Sequence, residues 1–413
     1  MPTLPKSPAP IELRDFETGD GVNSPGPRNG RDALPDGVLS RFGITRVGEI
    51  TGLDVIGVPV WFACRPNSRT LAVSQGKGLS AEQARMSAIM ESLEGAVAER
   101  TETLTQHVSS ISDMNGRGHP LVQLKSILKC NPERLDMDRP RRWIEGRSLY
   151  DGTAVWAPLE LVGLDLRHGT DFDHAAFRMD SIGLAASFCT SDSILHALLE
   201  LIESDATAFF ETFASSWSKA SVVDLADSEN EQLISLVGRL GRLGVPVTFR
   251  NLTSDIDVPA LVAIIPMPPH GNSGAGVRYA AGFAARPDPE MAALAALLEA
   301  LQSRLTEISG SRDDLVEEEF SDVRTTSRQP PDRQLSIGSL RHWPDLNGAS
   351  SDLKLKALVS HLRSKGIGNL YVFELPSELD TLHVVRVVAT DLEVGTNHGV
   401  ARFGSRMLRR IYM

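Results

Sequence analysis

Two stretches, SAIMESLE over residues 87–94 and ILHALLELIE over residues 194–203, place paired glutamates on segments that otherwise read as the inside of a helix. Glu91/Glu94 and Glu200/Glu203 are three residues apart, so each pair shares one helical face. Ser87 extends the first face and His196 the second, at i, i+4 and i+7. A third apolar run, DPEMAALAALLEALQSRLTEI, places Glu299 and Gln302 alike, with Ala295 one turn before and Thr306 after. Like charges at this spacing weaken an isolated helix by roughly a few tenths of a kcal/mol. Burying one unpaired carboxylate costs several kcal/mol. A single such pair on an amphipathic helix would simply face water. The second helix is apolar nearly all round, and three instances call for a cation that offsets the burial.

That cation is either Arg or Lys from elsewhere in the core or a metal ion. Carboxylates without a Cys or His cluster suit a hard ion such as Mg2+, which commonly travels with a phosphate substrate. His196 alone is more often a packing residue than a ligand. The three cysteines, Cys64, Cys130 and Cys189, have no metal-like spacing and no even framework, which fits reduced thiols in a cytoplasmic protein.

Around these helices the chain reads as a mixed α/β protein. Residues 1–36 are rich in Pro, Gly, Asp and Ser without hydrophobic period and are expected to form a disordered or loosely attached arm. Residues 37–413 are expected to form the folded body. ITRVGEI, VPVWFAC and TLAVSQG alternate as strands. A helix follows over 81–100, with Ser80 as N-cap and Gln83 as capping-box partner. The second long helix is expected over about 191–213, capped by Thr190 or Ser191. Residues 220–280 read as a smaller α/β segment, and the third long helix carries Pro289 in its first turn. An acidic loop, DDLVEEEFSD, follows it. LKLKALVSHLRSKG, NLYVFEL and HVVRVVATDL then repeat the helix and strand pattern.

The net charge of −11 argues against a nucleic-acid footprint, which needs clustered Lys and Arg. No apolar run is long enough to span a membrane. Glycine-rich turns precede each long helix: SQGKGLS, GLAAS and GNSGAG. Such turns let backbone amides approach an anion at a helix N-terminus, and Lys77 would be a mobile cation beside the first. The Walker A pattern GxxxxGK[ST] is absent.

SQGKGLSAEQARMSAIMESLE, DSIGLAASFCTSDSILHALLELIESDA and ARPDPEMAALAALLEALQSRLTEISGSRDDL together resemble, in order and spacing, the three signature regions of the YcaO family. The resemblance covers roughly residues 40–410. RPNSRTLAVSQGKG looks most like the branch that travels with a TfuA partner protein. The resemblance implies a YcaO-like α+β fold, long helices lining an ATP cleft against mixed sheets, and cofactors ATP and Mg2+. It implies ATP-dependent activation of a peptide amide, and a homodimer is a common state in the family. Carried onto this chain, its motifs assign Lys77, Ser87, Glu91, Glu94, Glu200, Glu203, Glu299, Gln302 and Arg304 to ATP. The five glutamates among them, Glu91, Glu94, Glu200, Glu203 and Glu299, would hold the metal ions. No catalytic residue is assigned.

Three arginines that the motifs carry are missing: position 95 is Gly, 204 is Ser and 295 is Ala. Ile182 stands where many members have Asn. Lys77, Arg278, Arg304 or Arg312 would have to replace the lost cations, or the site is a degenerate scaffold that binds a peptide or partner without using ATP. Azoline-forming members often end in a proline-rich tail, whereas this chain ends RMLRRIYM. That moves the expectation from azoline formation toward thioamide formation with an external sulfur source and a TfuA-like partner.

Overall fold

The computed structural model describes residues 34–213, 220–267, 278–310, 333–341, 343, 346, 348–393 and 403–412. The arm over 1–33, the GNSGAG turn, Arg312 and the acidic loop at 313–322 lie outside the described residues. The first half of the chain runs α1 (Val38–Arg41), β1 (Arg46–Glu49), β2 (Val60–Cys64), β3 (Val73–Lys77), α2 (Ala81–Ala98), α3 (Thr101–Leu104), β4 (His107–Ser109), α4 (Ile111–Gly116), α5 (Leu124–Ile127), β5 (Arg141–Ser148), β6 (Ala154–Pro158) and β7 (Leu184–Ser187). The second half runs α6 (Thr190–Phe213), β8 (Val222–Asp224), α7 (Glu231–Arg242), β9 (Thr248–Asn251), β10 (Ala260–Pro266), β11 (Tyr279–Ala285), α8 (Pro289–Ser309), β12 (Gln334–Ser336), α9 (Ser351–Ser364), β13 (Leu370–Leu375), β14 (His383–Ala389) and α10 (Ser405–Tyr412).

The strands form three sheets, ordered β1-β2-β3, β11-β10-β9-β8-β12, and β4-β5-β13-β14-β7 with β6 paired to β5. Every pairing is antiparallel except β12 with β8. The expected segment over 220–280 does not close on itself, since its sheet continues through β11 and takes α8 on one face.

Local chemistry sets the helix ends. Ser80 Oγ accepts the N–H of Gln83 at 3.2 Å. Gln83 Oε1 accepts from Leu79 at 3.1 Å, one residue earlier than the expected reciprocal bond. Helix α6 starts at Thr190, one residue sooner than expected, and the Thr190 hydroxyl meets His383 Nδ1 at 3.0 Å. Asp288 caps α8 by accepting the N–H of Glu290, directly before Pro289. Gly310, at φ 56°, ends α8 in the left-handed conformation that glycine takes without strain. One core joins α2 to β5 and β6, a second joins α6 and α9 to β13 and β14, and a third joins α7 and α8 to β8–β11. Among the described residues, no helix is long and apolar enough to cross a membrane.

Candidate active site

Glycine sets the depth of two of the three glutamate-bearing helices. A Cβ on Gly76 of β3 would lie 2.0 Å from the backbone N of Ala88 and 2.3 Å from the carbonyl of Ala84. A Cβ on Gly282 of β11 would meet Ala300 N at 2.1 Å and Ala296 O at 2.3 Å. Each pair thus sets a bare strand backbone against alanines one turn apart on its helix. Only glycine permits that approach. The third helix, α6, packs on β7 and β14 through Ala197, Leu198 and Leu201.

The three helices and β7 enclose a cavity of about 1630 Å3. Ser87, Glu91, Glu94, Glu200, Glu203 and Glu299 all stand on its wall, joined by His196 and Arg286. Its wall also takes apolar side chains, among them Leu39, Ile44, Met86 and Met90. Leu34, Pro35 and Asp36, which the sequence assigns to the arm, are part of the wall. Glu91 is exposed, so the buried setting expected of all five glutamates does not extend to it.

Lys77 is not itself on the wall, but its Nζ bonds Glu299 Oε2 at 3.0 Å. The Phe283 N–H reaches Glu299 Oε1 at 3.5 Å. Gly183 turns at φ 81° and gives its N–H to Glu200 Oε2 at 3.1 Å. The GLAAS turn therefore orients a glutamate, not an anion directly. Gln302 and Arg304 are not on the wall. Arg304 lies about 140° round the helix from Glu299. It grips Asp54 with two hydrogen bonds of 2.7 and 3.1 Å and also bonds the Pro266 carbonyl. Arg278 is paired with Glu307. Two of the cations expected to replace the missing arginines are thus occupied elsewhere.

The electrostatics follow from crowding. Burial raises the Glu94 pKa well above the usual carboxylate range, and Glu200 and Glu91 raise it further. Burial pushes Glu200 up to about 8 against the lowering effect of the Gly183 N–H. Glu203 is raised by burial and by Glu299. His196 is open to the cavity but deep in the molecule, and burial with the nearby Arg286 charge lowers its pKa.

Among the described residues the donor set fits a hard divalent cation: carboxylate oxygens, no thiolate on the wall, and fewer basic than acidic side chains. Among the described residues, no three His, Cys, Asp or Glu side chains come together closely enough to hold a metal ion. The carboxylates instead stand apart around a space large enough for a nucleotide. That suits Mg2+, which is usually held by one or two carboxylates and completes its shell with phosphate oxygens and water.

Two cations escaped the sequence reading. Arg286, between β11 and α8, has the carboxylates of Glu203 and Glu299 acting on its charge. Arg386, in the middle of the apolar strand β14, is buried and feels Asp180, Glu200 and Glu94. Each had a visible signal. Arg286 is the only basic residue between Tyr279 and Arg304, and Arg386 interrupts HVVRVVA.

Compared with known proteins, the chain matches the family described as YcaO cyclodehydratase, ATP- and Mg2+-binding, over residues 75–393. A Rhizobium leguminosarum bv. trifolii protein described as lying in the tfuA 3′ region is 34% identical over 381 residues, 90% of this chain and 89% of its own. Among solved structures, YcaO from Methanopyrus kandleri bound with AMPPCP and Mg2+ superposes with a TM-score of 0.65 at 24% identity, over 87% of this chain and 91% of that one. A heterocyclase in complex with substrate and cofactor gives 0.69 at 19% identity, over 92% of this chain and 55% of that one. At those identities the superpositions speak for the fold, which is the expected mixed α/β one.

Proposed function

The chain belongs to the YcaO family, an ATP- and Mg2+-binding family of peptide-modifying enzymes, and from that premise we propose that it uses ATP to replace a peptide carbonyl oxygen by sulfur, with a TfuA-like protein handling the sulfur. The observation that carries this reading is the convergence of Glu91, Glu94, Glu200, Glu203 and Glu299 on one cavity wall. A dead scaffold would have little reason to keep Glu94, Glu200 and Glu203 recessed and facing one another, because a buried carboxylate costs several kcal/mol unless a cation joins it.

An amide carbonyl is a poor electrophile. Its oxygen attacks the terminal phosphorus of ATP and ADP departs. Sulfide adds to the activated carbon, and phosphate leaves with the original oxygen. The balance is one amide, ATP and hydrogen sulfide ion giving one thioamide, ADP and phosphate. Phosphoryl transfer is mostly positioning and charge neutralisation. Mg2+, when bound, neutralises the phosphate oxygens. In this reading the five glutamates hold the ions. The Gly183 N–H holds Glu200 in place, and Lys77 holds Glu299. Ser87 reaches the nucleotide from α2. The cavity exceeds the roughly 300–1,000 Å3 of an ordinary ligand pocket, which leaves room for a peptide segment beside the nucleotide. The tfuA neighbourhood of the Rhizobium relative supports the TfuA-like partner.

A second reading has one observation in its favour. Gly95, Ser204 and Ala295 leave the motif without three arginines, and arginine forks are strong phosphate ligands. In that reading the chain presents a peptide or partner without turning over ATP. Calorimetric titration of the purified protein with AMPPCP, with and without Mg2+, separates the two. Mg2+-dependent binding that is lost in Glu91→Ala and Glu203→Ala supports the enzyme. No binding, even with a TfuA-like protein present, supports the scaffold. Product mass then decides the chemistry, since azoline formation loses water and thioamide formation exchanges oxygen for sulfur.

A further inference from the structure

We infer that Arg286 is the residue through which this chain grips the nucleotide's phosphate chain, in place of the arginines absent at 95, 204 and 295; this rests on the nucleotide reading above. Arg286 stands on the cavity wall, and its backbone is fixed by a 2.9 Å hydrogen bond from its N–H to the Pro259 carbonyl. The guanidinium donates through Nη1 to the adjacent Ala285 carbonyl at 2.7 Å. Among the described residues, that is its only hydrogen-bond acceptor, so most of its donor fork is left for a ligand. The two carboxylates that act on it, Glu203 and Glu299, are the glutamates beside position 204 and one turn after position 295. A cation delivered from the β11–α8 junction thus serves the place that two helix-borne arginines would serve.

Among the described residues, the other nearby cations are paired with a carboxylate, lie off the wall or stand at its rim. Lys77 is bonded to Glu299. Arg65 lies against Gly95, where a Cβ would be 3.1 Å from its Nη2, but it is locked in two 2.8 Å bonds to Glu99. Arg386 donates to the carbonyls of Leu161 and Asp180 and is not on the wall. Arg85 is on the wall but at its exposed rim. With five carboxylates around it, a polyphosphate needs a protein donor as well as metal ions. A guanidinium fork suits phosphate oxygens in pairs.

A purely structural role for Arg286, as counter-ion to Glu203 and Glu299, predicts the opposite sign in one experiment. Removing a counter-ion leaves those carboxylates freer for Mg2+, so Mg2+-AMPPCP affinity would hold or rise. The test is calorimetric titration of native protein, Arg286→Gln and Arg286→Lys with AMPPCP in saturating Mg2+, and of each with Mg2+ alone. The expected result is Mg2+-AMPPCP binding weaker by about tenfold to a hundredfold in Arg286→Gln, the size of a lost charge-assisted hydrogen bond. Arg286→Lys should fall between, since it keeps the charge and loses the fork. Mg2+ affinity without nucleotide should be unchanged or higher in Arg286→Gln. Nucleotide affinity equal to or above native in Arg286→Gln overturns the inference. If that variant does not fold, native affinity in Arg286→Lys overturns the fork contact. Failure of the native protein to bind nucleotide would instead remove the nucleotide reading itself.

Discussion

The paired glutamates work against the stability of the chain that carries them. A carboxyl whose pKa is raised on folding holds a proton that the unfolded chain would release. With Glu200 pushed up to about 8, and Glu94 and Glu203 also raised, the native state binds more protons than the unfolded one above the usual carboxylate range. Stability is therefore full at pH below that range and is lost as pH rises toward about 8. In EDTA, the melting temperature should fall between pH 5.5 and 8.5 beyond what the other groups impose. Glu200→Gln should flatten that slope and raise the melting temperature at pH 8 by about 2 °C or more. The same substitution should weaken Mg2+-AMPPCP binding. A variant that loses stability at pH 8 would show that Glu200 has a protein cation as its partner. At this scale the sequence was readable because a charge in an apolar helix is conspicuous. Arg304 was misplaced because its rotation away from Glu299 and its partner Asp54, 250 residues earlier, are properties of the fold.

Secondary structure was legible wherever one chemical rule dominated, as at Ser80, which accepts a backbone N–H in the first turn of α2, and at Pro289, which opens α8. The close strand–helix contacts were not, since a glycine in SQGKG or YAAGF reads as a turn or a weak strand position until the opposing alanines are seen. Gly282→Ala forces its Cβ into the backbone of α8 and should destabilise the protein by about 1–3 kcal/mol. It should also weaken Mg2+-AMPPCP binding, because Glu299 is held from β11 and β3. Gly116→Ala, whose Cβ meets nothing within 4 Å, is the control and should leave both unchanged. Chemical denaturation and calorimetry read the two effects. The C-terminal helix α10 is tied to α6 two residues beyond Glu203. Arg406 bonds both oxygens of the fully buried Asp205 at 2.6 and 3.2 Å and lies over the Phe209 ring. Arg406→Ala leaves Asp205 without its guanidinium, with only the Glu393 N–H and the Ser254 hydroxyl as donors among the described residues, and should cost about 3–5 kcal/mol in denaturant unfolding. Asp205→Asn combined with it should recover part of that loss, which a role in packing alone would not allow.

The cavity is a property of the whole molecule. Its wall takes Ser87, Glu91 and Glu94 from a helix packed on the first sheet, Glu200 and Glu203 from a helix on the third, and Arg286 and Glu299 from the edge of the second. Charge balance then dictates an order. Among the described residues the metal-free cavity wall carries seven acidic side chains, Asp36, Glu82 and the five motif glutamates, against Arg85, Arg286 and the Lys77 that bonds Glu299, so once Glu94, Glu200 and Glu203 give up their protons a bare triphosphate meets repulsion and Mg2+ must enter with it or before it. Binding of the two is therefore linked, and each raises the affinity for the other by the same factor. Because all three sheets supply the wall, that linkage should act on the unfolding of the whole body. In scanning calorimetry, Mg2+ with AMPPCP at 100 times its dissociation constant should stabilise the native state by about 2.7 kcal/mol. The main transition should move upward as one peak. AMPPCP in EDTA should leave it where it was. A shift of the same size without Mg2+ would mean that protein cations alone carry the phosphates, and the glutamates would then need another partner. A shift confined to one of two resolved peaks would mean that the ligand touches fewer sheets than the cavity wall implies.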